Sequence, residues 1–200
     1  MAKRVVDFFK NDDIVFVSNA QRSLFKGSFF FVSDRKEYSF EGVKQSKIET
    51  LFRALKLDKN ILTYHKYTSS EKKRLNLAYA LLSNKKIIVL DHFFRSFTRR
   101  EIIYYMRFLR EIVYRKKARF IFLEDDMNII VEYSKKFYLF YNNEFHLFDN
   151  YYDDIIYEYL EMPETIKCIK YIEKMGHKID HEVTFDETLK AIYRSVVWDI

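Results

Sequence analysis

Two short runs of uninterrupted apolar residues, Ile87–Leu90 (IIVL) and Phe120–Leu123 (FIFL), constrain this chain more than any other feature. Each ends in acid, Asp91 after the first and Glu124–Asp125–Asp126 after the second. A strand with one wet face alternates polar and apolar residues. A run with no polar residue must bury both faces, as strands of a helix-covered parallel sheet do. Between the two runs lies a helical segment, Thr98 to Arg115, long enough for the crossover that parallel strands require. The pattern predicts the α/β class, with ligands expected at the carboxyl ends of the strands. Asp91 and Asp125 fall there.

The remaining segments fit that plan. Ile14–Val17 is the first strand signal, Lys26–Gly27 reads as a turn, and Ser28–Ser33 is a second strand rich in aromatics. After the polar stretch Asp34–Glu41, a helix is predicted over Ser46–Leu57, where Ile48, Leu51, Phe52 and Leu55 recur at helical spacing. Lys59–Lys66 is an irregular connection. A further helix begins at Ser69, with Thr68 or Ser69 as N-cap, Glu71 in the first turn, and Leu75, Ala78, Leu81 and Leu82 as its apolar stripe. Ser83–Asn84 stops it. Beyond the second apolar run come a short helix, Met127–Tyr133, and a hairpin of Phe137–Tyr141 and Glu144–Phe148 turning on Asn142–Asn143. The tail from Tyr151 is mainly helical, broken near Pro163 and Gly176. Two regions are expected, an α/β domain over 1–150 and a helical extension over 151–200.

Composition narrows the chemistry. Only 3 of the 200 residues are Gly and 1 is Pro. That scarcity argues against a glycine-rich nucleotide loop, because backbone approaches phosphate only where no Cβ intervenes. The net charge is +6, with clusters at Lys72–Lys73–Arg74, Arg99–Arg100 and Arg115–Lys116–Lys117, which read as solvated surface ahead of a site for nucleic acid, an anionic membrane face or an acidic partner. The 20 Phe and 16 Tyr read as core ahead of stacking platforms for single-stranded nucleic acid. The one cysteine, Cys168, forms no disulfide within the chain and belongs to no zinc pattern. Of His65, His146, His177 and His181, only His177 and His181 stand at i, i+4, in a Gly-containing segment, and the set is not read as metal ligands. Asp91, Glu124, Asp125 and Asp126 are the one acidic group that invites a divalent cation. With no nucleophile or phosphate site beside them, no metal and no cofactor is predicted. The first residues are too charged for a signal peptide, and no run approaches the roughly 18 apolar residues of a membrane span. The expected location is cytoplasmic, peripheral to the inner face of a membrane only through a partner.

One segment resembles a known family. Tyr67–Leu82 reads YTSSEKKRLNLAYALL, similar to the signature of ATP-binding-cassette (ABC) ATPases, in which LSGGQxxR opens an alanine-rich helix. In that resemblance Thr68, Ser69 and Ser70 form a degenerate signature loop, with Glu71 at the Gln position and Arg74 at the Arg position. Ser83–Asp91 (SNKKIIVLD) looks like the Walker B strand with its terminal Asp91. His92 follows where the family has a glutamate, and Thr98 stands at the loop-aspartate position. The second apolar run ends with Asp125 at the switch-histidine position. The hairpin resembles the family's last one, with Asn143 where a Gly is usual. The resemblance implies a truncated P-loop-NTPase-like parallel sheet with flanking helices. Only Asp58–Tyr67 separate the first helix from the signature, so the helical subdomain is reduced.

The same comparison implies lost chemistry. Between the strand Ser28–Ser33 and the helix Ser46–Leu57 the chain reads DRKEYSFEGVKQ, with one glycine, Gly42, and no Gly-Lys-Ser/Thr triplet to hold phosphates and magnesium. A histidine at 92 is a base without a positioned phosphate, and a carboxylate at 125 repels a γ-phosphate. The chain is therefore expected to be a non-catalytic pseudo-ATPase. It would pair with an intact ABC ATPase subunit, dock on a membrane permease, or form a dimer, and its signature-like loop would at most complete a partner's ATP site. The alternative is a protein- or nucleic-acid-binding module unrelated to transport, and a third reading is a cryptic enzyme that uses His92 and the acids. The apolar positions of the tail, among them Ile155, Ile156, Tyr159, Ile169, Ile172, Leu189, Ile192 and Trp198, are expected to bury on the domain or on a partner.

Overall fold

The computed structural model describes residues 9, 13–25, 29–33, 40–58, 67–83, 85–115, 118–177, 190, 193 and 194. Lys26–Gly27, Ser28, most of Asp34–Glu41, Lys59–Lys66, Asn84, His65, His181, Leu189, Ile192 and Trp198 lie outside them. The fold is mixed α/β, with six strands hydrogen-bonded in the order β2-β3-β4-β1-β5-β6. The chain divides into two compact units, Met1–Val15 with Ala20–Leu123, and Phe16–Asn19 with Glu124–Ile200. Strand β1, Ile14–Ser18, contributes to both.

In the first unit β2 (Phe30–Val32), β3 (Ile87–Asp91) and β4 (Arg119–Leu123) run parallel, with Phe30 beside Ile88, Ile88 beside Phe120, and Asp91 beside Leu123. The Phe120 N–H donates to Asp13 O at 3.0 Å, which sets the start of β1 beside β4. Both apolar runs are buried strands, as their lack of alternation requires: Ile88, Val89, Leu90, Phe120 and Phe122 expose none of their surface. Phe94, in the turn after β3, stacks on Phe122 with ring centroids 5.4 Å apart. Burying each such side chain contributes about 1.5–3 kcal/mol.

Among the described residues this unit has three α-helices, α1 (Gln45–Ala54), α2 (Ser69–Leu82) and α3 (Arg99–Tyr114). Both α2 and α3 start on a Thr-x-x-Glu capping box. The Thr68 N–H donates to Glu71 Oε2 at 2.8 Å and the Glu71 N–H to Thr68 Oγ1; Thr98 and Glu101 repeat the arrangement. Each box satisfies two N–H groups that helical geometry leaves unpaired. Thr98, read at a loop-aspartate position, is thus a helix cap.

Helix α1 ends three residues before the predicted Leu57. Lys56 takes a left-handed φ of 52°, the Leu57 N–H reaches back to Phe52 O at 2.9 Å, and the Lys56 N–H reaches Arg53 O at 3.2 Å. These are the two bonds of a Schellman ending, with lysine where glycine is commonest. The Asn142–Asn143 hairpin turn has both φ angles positive, 50° and 62°, as a type I′ turn requires.

The second unit holds the end of β1 parallel to β5 (Phe137–Tyr141), with Val17 beside Tyr138, and β5 antiparallel to β6 (Glu144–Phe148). Helix α4 (Met127–Tyr133) buries Ile129 and Ile130. The tail from Tyr151 belongs to this unit. Tyr151 stacks flat on Phe137, Ile156 is fully buried, and helix α5 (Glu164–Lys174) buries Ile166 and Ile169. Tyr159 stacks on Tyr141 while 40% of its surface stays exposed. Gly176, at φ 93°, follows the end of α5.

Candidate functional site

The carboxyl end of β3 carries the residues that the sequence pattern singles out in the first unit. Asp91 closes the strand. His92 then turns the chain through a left-handed conformation, φ 43° and ψ 47°, and its N–H donates to Leu123 O at 2.9 Å. The His92 imidazole is partly exposed, with Nε2 4.0 Å from Asp91 Oδ1. Arg22, in the short 3-10 turn Arg22–Leu24 that follows β1, puts its Nε 3.0 Å from Asp91 Oδ2. Its guanidinium also lies over the Phe31 ring, 5.3 Å from the centroid. Asp91 is thus flanked by a fixed cation and a titratable ring.

A second cation supports this turn from below. Lys73, only 4% exposed, donates from Nζ to His92 O at 2.6 Å. Its neighbour Arg74, 8% exposed, donates from Nη1 to Leu55 O and Lys56 O, the carbonyls at the end of α1, and to Tyr105 Oη; its Nε donates to Ser70 O. Tyr105 Oη donates to Leu55 O, and Tyr104 Oη to Ala54 O, each at 2.7 Å. The last carbonyls of α1 are thereby satisfied by a guanidinium and two phenols, and positive charge at a helix carboxyl end suits its dipole. Burial pushes the Tyr105 phenol above its ordinary pKa, against the opposing pull of Arg74.

The reading of Lys72–Lys73–Arg74 as solvated surface is therefore wrong for two of the three. The predicted apolar stripe of α2 is also incomplete: Leu75 and Ala78 are buried, Leu81 and Leu82 only half so, and the helix instead buries Lys73, Arg74 and Asn76 beside Leu77 and Ala80. The Asn76 side chain donates to Ser33 O at 2.5 Å, at the end of β2. The signature-like loop itself is a helix start. Thr68 is exposed, Ser69 and Ser70 are half-buried, and Glu71 turns its carboxylate back on Thr68.

Asp125 belongs to the second unit. It accepts from the Asn19 N–H at 2.7 Å, while Asn19 Nδ2 donates to Phe140 O and Ser18 Oγ donates to Glu124 O. Glu124, 4% exposed, accepts from the N–H groups of Asp125 and Asp126. Asp126 caps α4 through the Asn128 N–H. Glu124 and Asp126 are thus turned on their own backbone, and Asp125 on that of Asn19. Among the described residues, no group of three or more His, Cys, Asp or Glu side chains is placed to hold a metal ion. His146 stacks on Tyr141 with ring centroids 3.9 Å apart. Cys168 is exposed and free.

Arg22, Ser18 and Asn19 escaped the sequence reading. Asn19 takes a positive φ of 53°, and the signal in the sequence is an Asn, a residue type that favours such a turn, directly after an apolar strand.

No protein-family model and no curated protein sequence matches the chain. Solved structures do. An ABC transporter described as of the metal-chelate type, in an inward-facing conformation, superposes with a TM-score of 0.53 at 13% identity, over 69% of this chain and 72% of that one. A bacterial Atm1-family ABC exporter with ATP bound superposes with a TM-score of 0.52 at 10% identity, over 66% of this chain. The match spans 33% of the exporter chain. At these identities the likeness is one of fold: the chain has an ABC-ATPase-like α/β architecture. Among the described residues, no helix is long and apolar enough to cross a membrane.

Proposed function

We propose that this chain is a non-catalytic subunit of ABC-ATPase-like fold that pairs with an intact ATPase, or docks on a membrane complex, as a structural or regulatory partner. The observation that carries the reading is the Arg22–Asp91 pair. The resemblance puts Asp91 where the family's Walker B aspartate faces nucleotide-bound magnesium. Here a guanidinium stands 3.0 Å from one of its two oxygens and an imidazole 4.0 Å from the other. A carboxylate between two nitrogen groups does not fit a cation that demands oxygen ligands in octahedral array. The sequence supports the same conclusion, since no Gly-Lys-Ser/Thr triplet follows β2 and His92 stands in the place of the glutamate. The capping box of α2 is in keeping with it, because the Glu71 N–H bonds Thr68 within the chain and a carboxylate lies at the helix start.

Purification of the tagged chain from native membranes, with mass spectrometry of what accompanies it, tests the partnership. The expected result is near-stoichiometric recovery of a protein with an intact phosphate-binding loop or of a multi-span membrane protein. Calorimetry of the isolated chain with MgATP is expected to register no binding. Micromolar affinity for MgATP overturns the non-catalytic reading. Recovery of the chain alone, or with nucleic acid only, overturns the subunit reading.

A further inference from the structure

Helix α3 joins two charge clusters that look unrelated in the sequence. Arg99–Arg100 open it, and Arg115–Lys116–Lys117 follow its last residue. Its core-facing side is fixed by Tyr105, Met106, Leu109 and Ile112, all buried. The other side is a narrow strip at helical spacing. Arg100, Arg107 and Tyr114 are seven residues apart, with Arg110 and half-buried Ile103 between them and Arg99 at the edge. All four arginines are exposed, and Tyr114 is 84% exposed. Of the acids on the helix, Glu101 closes the capping box and Glu111 holds Arg115 at 2.7 Å.

We infer that this strip of α3 binds an anionic membrane surface directly, with no partner between. Charge complementarity sets the class of occupant. Arginine forks match phosphate and carboxylate oxygens in pairs, and every basic residue within α3 is arginine. The strip's mixed composition selects a bilayer. A tyrosine ring suits the headgroup layer, its apolar body toward the chains and its hydroxyl toward water, and Ile103 adds apolar surface along the same line. Anionic lipids also move laterally, so they meet arginines at any spacing, whereas a nucleic-acid backbone offers phosphates at fixed intervals. Clusters of this size near a membrane recruit acidic lipids, and each cation strengthens binding about fivefold. This contact does not depend on the subunit reading, because it uses no partner and no nucleotide.

Co-sedimentation of the purified full chain with vesicles tests it. At 50 mM salt we expect binding to vesicles of phosphatidylcholine with about one-third phosphatidylserine, little to pure phosphatidylcholine, and loss of binding at 500 mM salt. Arg100→Gln with Arg107→Gln is expected to weaken binding about 25-fold, two factors of five, with an unchanged circular dichroism spectrum. Lys167→Gln with Lys174→Gln removes the same charge from α5, in the second unit, and is expected to leave binding within about twofold. Equal loss in both double variants overturns the assignment to α3. So does equal binding to both vesicle types, or no vesicle binding at all. Tighter binding to a single- or double-stranded oligonucleotide, competing with vesicles and lost in the α3 variant, replaces the bilayer with nucleic acid and also overturns the inference.

Discussion

Lys73 places its ammonium nitrogen 2.6 Å from the carbonyl oxygen of His92, inside the first unit and almost out of reach of water. The bond holds the left-handed turn that follows Asp91. Lys73→Met keeps the aliphatic stem and removes the donor. Because the His92 carbonyl then loses its shorter bond and keeps the Arg95 N–H at 3.3 Å, the variant is expected to lose about 1–2 kcal/mol of stability, read from the urea midpoint. A midpoint equal to the parent's would show that the ammonium does not hold this turn.

Arg74 is expected to be the more demanding position. Its Nη1 reaches Leu55 O, Lys56 O and Tyr105 Oη while its Nε donates to Ser70 O, a span across two nitrogens that a single ammonium does not have. Arg74→Lys is expected to destabilise by about 2–4 kcal/mol. If Arg74 instead serves a partner, Arg74→Lys leaves the melting temperature unchanged and impairs only partner recovery.

The Arg22–Asp91 pair is partly solvated, so its strength is modest. A double-mutant cycle with Arg22→Gln and Asp91→Asn is expected to give a coupling of about 0.5–1 kcal/mol. Asp91→Asn alone is expected to leave folding and partner recovery nearly intact. Loss of partner recovery in a folded Asp91→Asn protein would argue for a live site at this strand end.

What the sequence made legible, and what it did not, divides along a physical line. Strands IIVL and FIFL announce themselves because burial on both faces forbids polar residues anywhere along them. The Asn-Asn turn is visible because its two positive φ angles demand such residues. Lys73 and Arg74, in contrast, sit in a basic run that looks like any solvated face. Their partners are mostly main-chain carbonyls, of Leu55, Lys56 and His92, and a carbonyl carries no residue identity to read. The ion pair of Arg22 with Asp91 leaves no local spacing either, since its members come from separate strand ends.

Alkaline pH offers a separate test in the second unit. Burial pushes the Tyr151 phenol up to about 12, from an ordinary value near 10, while its hydroxyl donates to Ser134 O at 2.7 Å. A folded pKa above the unfolded one gives stability that is complete below pH ~10 and is lost as pH rises toward 12. The parent is expected to lose about 2–3 kcal/mol across that window through this group, and Tyr151→Phe correspondingly less. Urea midpoints measured from pH 9 to pH 12 decide it; identical slopes would place the alkaline loss elsewhere.

The hairpin turn can be improved. Asn143, at φ 62°, occupies a conformation that glycine adopts without steric cost. Asn143→Gly is expected to raise stability by about 0.5–1 kcal/mol and Asn143→Ala to lower it by a similar amount, both by thermal denaturation. The reverse order would mean that the turn is not of type I′.

Ser18 and Asn19 bond to Glu124, Asp125 and Phe140, more than a hundred residues further along the chain. A ribosome releases the chain from its amino end at about 5–20 residues per second. The apolar segment ending at Ser18 therefore waits on the order of ten seconds for the residues it pairs with, far longer than a local helix needs to form. Throughout that interval Phe16 and Val17 have no place to go within the second unit. Chaperone capture of the nascent chain is therefore best sought at this strand, and its release should coincide with the emergence of β5.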